Sequence, residues 1–198
     1  MPDAPSNFHL PKIADPDCPA INRSDRRFAK IVESASKANA ANGVLLCTDA
    51  NEKRLPRLIE NLKQQHLTIA GTETFDWTRE APVAWHGRFD RILLDVPCSN
   101  TGVLRRRVDA RWRLRPEQIA DLGDVQRRIL ENALPCLKPG GRLLYSTCSL
   151  EPAENEEQVE AFQSAHPEIE LLDSRQSLPF RDGFDGSYAA LLALRSRP

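Results

Sequence analysis

Two segments carry residue types and spacings that could do chemistry. They are DVPCSNTGVLRRRVDARWR at 95–113 and LLYSTCSLEPAENEEQV at 143–159. Each sets one cysteine, Cys98 or Cys148, on a tight turn where a strand-like run stops. Pro97 stiffens the first turn by fixing its φ angle, and Gly102 leaves room for close backbone approach by a ligand. A thiolate is strongly nucleophilic and more available near neutral pH than any alkoxide, so it suits attack on a soft, electron-poor ring carbon. The competing fate of both cysteines is that of small buried hydrophobes.

The remaining chemistry-bearing residues narrow the choice. The five cysteines, at 18, 47, 98, 136 and 148, are odd in number and form no C-x-x-C pair, which argues against a disulfide framework and a structural zinc site. No metal is expected, and Cys18, Cys47 and Cys136 read as packing residues. His9, His66, His86 and His166 fall in no recognisable motif, so a cysteine hydrolase, which needs a histidine base beside its thiol, is disfavoured. Arg105, Arg106, Arg107, Arg111, Arg113 and Arg115 crowd around Trp112. Such a cluster fits a surface that grips phosphates and stacks on bases, or else a solvated, salt-bridged helix edge.

These residues need a scaffold. GVLLCTDA from Gly43 reads as a buried parallel strand ending at Asp49, and a helix follows in NEKRLPRLIENLKQQ. LTIAGTETF (67–75) and RFDRILLDVP (88–97) read as strands, the second ending near Asp95. In RPEQIADLGDVQRRILENALPCL, Ile119, Leu122, Val125, Ile129, Leu130, Ala133 and Leu137 share one helical stripe, and KPGG at 138–141 stops the helix. RLLYSTCSL then delivers Cys148. A helix at 153–165 and strands at 169–172 and 188–195 complete the pattern, which specifies an α/β domain with a mostly parallel sheet. Ligand chemistry in such sheets lies beyond the carboxyl ends of the strands, where Asp49, Asp95, Cys98 and Cys148 fall.

With 198 residues, 40% hydrophobic and 28% charged, the chain suits one domain with tails. Residues 1–40 read as an irregular N-terminal segment rich in proline, and 41–198 as the domain. No stretch approaches the roughly 20 apolar residues that cross a bilayer. The first residues lack a signal-peptide pattern, so no membrane partner and a cytoplasmic location are expected. The net charge of −1 says little about partners.

DVPCSNTG with its arginine-rich continuation, and STCSLEPAENEEQV, resemble the D-x-P-C-S-x-T-G and T-C-S-x-x-x-x-E-N-E blocks of the Fmu/Sun-type (Nop2/Sun) RNA cytosine-5 methyltransferases. The resemblance runs from about Gly43 to the last strand. It implies a Rossmann-like S-adenosylmethionine-dependent methyltransferase fold, with RNA, ribosomal before transfer RNA, as the partner. It implies that Cys148 adds to carbon 6 of cytosine, that Cys98 assists the elimination that frees the product, and that Asp95 contacts the base or the cofactor. It places Asp49 at the cofactor ribose and Asp76, in ETFDW, near the adenine. Either acid could instead be a helix cap or turn residue.

The sequence departs from that family at one place. The first strand and the glycine-rich loop D-x-x-A-x-P-G-G-K-T have no counterpart upstream of Gly43, where DCPAINRSDRR contains no glycine and FAKIVESASKANAANG stands for the helix after the loop. The expected consequences are a domain N-terminally incomplete, a sheet missing its first strand, and cofactor binding weakened first, since backbone amides of that loop hold the cofactor. The alternative function is a non-catalytic RNA-binding remnant of such an enzyme. The sequence does not give the oligomeric state.

Overall fold

The computed structural model describes residues 45–64, 69–107 and 110–196. The irregular segment 1–40, Cys18, His9, His66 and the run 28–43 lie outside the described residues. The chain forms strand β1 (Leu45–Asp49), helix α1 (Leu55–Gln64), β2 (Ile69–Thr74), β3 (Phe89–Asp95), short helix α2 (Ala110–Arg113) and α3 (Pro116–Ala133). Strand β4 (Leu137–Thr147), α4 (Glu156–Ala165), β5 (Ile169–Ser177), short helix α5 (Pro179–Asp182) and β6 (Ser187–Leu194) follow.

Strands β1 and β2 pair in parallel as a two-stranded sheet, and the other four form a sheet in the order β3-β4-β6-β5. There β3 and β4 are parallel, and β6 runs antiparallel to both β4 and β5, so β6 alone is reversed in that sheet. The fold is the expected α/β, Rossmann-like one. Among the described residues no strand joins the two sheets, and Leu93 on β3 is 51% exposed. Parallel strands are ordinarily covered on both faces.

The core lies between the four-stranded sheet and helices α3 and α4. It holds Leu94, Ile129, Leu130, Ala133, Leu143, Tyr145, Val159, Phe162 and Leu192, all buried. Each such Leu or Phe contributes about 1.5–3 kcal/mol by leaving water. A second cluster of Ala81, Trp85, Phe89 and Cys136 packs against Leu46, Phe75 and Trp77, and the Trp77 indole donates to Thr48 Oγ1 at 2.8 Å, tying β1 to it.

Three local expectations change. The α3 stripe ends at Ala133, because Pro135 cannot continue the helix, and Leu137 is buried as the first residue of β4. KPGG therefore lies inside β4 and does not stop the helix, with Gly140 taking φ 74°. Strand β5 runs to Ser177, well past the apolar IELL, because its pairing with β6 continues over polar residues.

Candidate functional site

Adjacent parallel strands β3 and β4 place their carboxyl ends side by side, Asp95 opposite Ser146 in the register. The chain leaves β3 through Val96, Pro97 and Cys98, and leaves β4 directly into Cys148. The two thiols consequently meet, with Sγ atoms 3.3 Å apart. Both are free cysteines, Cys98 buried and Cys148 partly open.

Backbone geometry around them is specific. Asn100 adopts φ 62°, a left-handed conformation that asparagine tolerates better than most residues. In that position its Nδ2 donates to Cys98 O at 2.7 Å while Oδ1 accepts from Cys148 Sγ at 3.2 Å. Gly102 donates through its backbone N to Cys148 O at 3.0 Å, joining the two cysteine loops. The close approach that Gly102 permits is by protein backbone, not by a ligand. A Cβ there would clash with Gly186 O and meet Cys148 O at 2.9 Å.

Beneath the thiols lies a buried polar layer. The Glu154 carboxylate, wholly buried, accepts from Ser99 N at 2.9 Å, Gln126 Nε2 at 3.0 Å, and the Ser99 and Ser149 hydroxyls at 2.5 Å each. Gln126 also donates to Pro97 O, and the Tyr145 hydroxyl donates to Glu154 O. Asn155 accepts from the Thr147 hydroxyl and donates to Ser149 O. Sequence reasoning missed this layer, although Glu154 and Asn155 stand in the quoted ENE run.

The electrostatics follow from contact and burial. A thiol hydrogen bond from Cys148 lowers the Cys98 pKa against the opposing effect of burial. That same bond, then burial, then the neighbouring charges of Cys98 and Asp95 push Cys148 far above the ordinary thiol range, with Arg107 opposing. The pair thus gives up one proton readily and holds the second. Asp95 is exposed at the end of β3, yet the protein packed around its stem raises its carboxyl pKa.

The other expected acids lie elsewhere at strand ends. Asp49 accepts from Asn51 N at 2.7 Å and stands 3.8 Å from Arg54. Asp76 accepts from Thr78 N and Oγ1, which lowers its pKa. Both acids therefore do stabilise turns, as their alternative reading expected. The described histidines, 86 and 166, bond neither thiol, and His166 is held between Glu131 and Glu168.

The arginine cluster is salt-bridged in part. Arg105 and Arg106 reach Asp185, at 2.6 and 2.8 Å, and fasten the loop to the turn before β6. Arg107, Arg111 and Arg115 are exposed, and Trp112 is 82% exposed beside a cavity of about 550 Å³ shared with Arg115, Glu117 and Gln118. Among the described residues no helix is long and apolar enough to cross a membrane.

Comparison with known proteins agrees with the fold and the motifs. The profile of the family described as 16S rRNA methyltransferase RsmB/F matches residues 33–192. The Ribosomal RNA small subunit methyltransferase B of Yersinia pseudotuberculosis serotype O:1b (strain IP 31758) is 41% identical over 169 residues, covering 81% of this chain and 38% of that protein. The chain thus spans well under half the length of such relatives. The crystal structure of PH0851 superposes with TM-score 0.72 at 29% identity, covering 81% of this chain and 38% of the other. A methyltransferase homolog protein from Pyrococcus horikoshii does so with TM-score 0.62 at 25% identity, covering 82% and 55%. On the extent of these matches, the chain belongs to the 16S rRNA methyltransferase RsmB/F family.

Proposed function

We propose that this chain is the catalytic part of an S-adenosylmethionine-dependent enzyme that methylates carbon 5 of cytosine in ribosomal RNA through a covalent adduct with Cys148. The observation that carries the reading is the contact between two thiols at the ends of neighbouring parallel strands, 3.3 Å apart.

The residues suggest a division of labour. Cys148 gives its proton to the Cys98 thiolate as its sulfur bonds to carbon 6 of the base. Asp95, whose carboxyl pKa is raised by the protein around it, shares a proton with the ring nitrogen and so draws electrons from carbon 6. S-adenosylmethionine, when bound, supplies an electrophilic methyl group to carbon 5. Once carbon 5 is methylated, its proton leaves to solvent and the carbon–sulfur bond breaks. The Cys98 S–H then donates to the departing Cys148 thiolate, and the ring nitrogen returns its proton to Asp95. The target base must be unstacked to enter such a site.

The described residues fit the cofactor in part. Asp49 and Asp76 at strand ends would meet the ribose and the adenine, but both already hold turns, and no glycine-rich loop stands among the described residues. The turn bonds that already occupy Asp49 and Asp76 favour, as a second reading, an RNA-binding remnant without cofactor affinity. Calorimetric titration with S-adenosylmethionine separates the two: micromolar binding supports the enzyme, and no binding by a folded chain supports the remnant. With a ribosomal RNA substrate and cofactor, Cys98→Ala should accumulate a covalent protein–RNA adduct, because Cys148 without the neighbour that raises its pKa can lose its proton to solvent while the thiol that assists release is gone, and Cys148→Ala should form none. Absence of adduct from both variants, when the cofactor binds, overturns the assigned roles.

A further inference from the structure

The buried Glu154 has no place in the chemistry above, and its surroundings are unusual for a structural carboxylate. Burying a charge without a matching cation is expensive and is offset here by hydrogen bonds alone. Two of its donors belong to Ser99, the residue after Cys98, and a third to Ser149, the residue after Cys148. The fourth is Gln126, whose amide also donates to Pro97 O, the residue before Cys98. The carboxylate thus reaches the chain beside each thiol, from a segment that belongs to neither strand. Glu154 itself is fixed through its backbone, which accepts from the Tyr145 hydroxyl at 2.6 Å and donates to Glu151 O at 3.0 Å.

We propose that Glu154 is a positioning residue that sets the separation of the Cys98 and Cys148 sulfurs by anchoring Ser99 and Ser149 to one carboxylate. The Gly102–Cys148 backbone bond, the bond from Leu150 N to Thr101 Oγ1 at 2.8 Å and the contact of the Ser99 and Ser149 hydroxyls at 3.0 Å join the same loops to each other, but none of these ties both turns to a third segment as the Glu154 carboxylate does. With the carboxylate gone, those turns lose their common anchor and the thiols separate. This deepens the methyltransferase reading of the site, since proton exchange between the thiols needs contact, but its test does not need methylation.

An arsenical that binds two thiols at once, phenylarsine oxide, reports their separation without RNA or cofactor. The wild-type chain should take up one equivalent at the Cys98–Cys148 pair, an uptake that Cys98→Ala abolishes. Glu154→Ala should slow this bidentate capture about tenfold or more, given the steep cost of misplacement by an ångström. Alkylation of Cys148 by iodoacetamide, which needs one thiol, should not fall below wild type, because a Cys148 relieved of the Cys98 contact that raises its pKa ionises more readily, a split from slowed capture that mere loss of stability does not produce. Glu154→Gln keeps the volume and some of the hydrogen bonds, and should restore part of the loss. If Glu154→Ala fails to unfold cooperatively, Glu154→Gln decides, with about a threefold loss of capture expected. Wild-type capture by the deciding variant overturns the proposal. Loss of capture with retained alkylation supports it even if the chain proves unable to methylate RNA.

Discussion

Gly186 N donates to Gly102 O at 2.8 Å, and the two glycines lie so close that a Cβ on Gly186 would meet Gly102 Cα at 2.9 Å. The loop that follows Cys98 is thereby docked onto the turn that precedes β6. Asp185, one residue earlier, takes Arg105 and Arg106 from the same loop, so backbone and charge fasten one junction.

Gly102→Ala should therefore disturb more than a turn. Its new methyl would meet backbone atoms of Gly186 and Cys148, which cannot swing aside as a flexible side chain could. A destabilisation of about 1–3 kcal/mol is expected from such overpacking, read by urea denaturation. An unchanged denaturation midpoint would show that the junction is looser than described.

The thiol pair makes a titration prediction. Cys98 owes its lowered pKa chiefly to the Cys148 thiol, so one thiolate should appear below the ordinary range of about 8.5 as pH rises. In Cys148→Ala the donor is gone and burial remains, so the Cys98 pKa should move up. Ultraviolet absorbance of the thiolate against pH reads both. A Cys98 titration indifferent to Cys148→Ala would break the proposed sharing of charge.

Much of this site could be read from sequence, for identifiable reasons. Strand ends were visible because Ile92–Leu94 and Leu143–Tyr145 are apolar runs bounded by turn residues, and strands of a parallel pair point their ends the same way. That put Cys98 and Cys148 at one edge. What stayed hidden depends on packing between distant segments. Glu154 is one of several acids in the run EPAENEEQVE at 151–160, and no local pattern tells a buried carboxylate from a solvated one. Gly102 looked like an opening for a ligand because the partner that fills the space, Gly186, lies 84 residues away in sequence. Asp49 and Asp76 showed the opposite problem, because a turn-capping acid and a ligand-binding acid use the same position at a strand end.

Burial of two other thiols sets a limit at high pH. Desolvation raises the pKa values of Cys47 and Cys136 to about 11. A folded-state pKa above the unfolded one means that stability is fully present below the ordinary thiol range and is lost as pH climbs toward 11. Denaturation midpoints should fall over that window, and Cys136→Ala should flatten part of the fall. A wild-type midpoint constant through the window would mean that these thiols ionise as freely folded as unfolded.

The exposed Trp112 and its arginine neighbours separate two kinds of RNA contact. Stacking on an indole face carries little charge, so Trp112→Ala should weaken binding to single-stranded RNA by about 1–3 kcal/mol while leaving its salt dependence unchanged. An arginine that meets a phosphate releases counterions, so Arg115→Gln should weaken binding and reduce the slope of log affinity against log salt by about 1. Arg105 and Arg106 differ, because Asp185 already engages their Nε atoms. Substituting either should change the slope less than substituting Arg115 and should lower stability more. Equal slope changes at Arg105 and Arg115 would show that RNA displaces the Asp185 pairs on binding, making the junction part of the RNA surface and not its support.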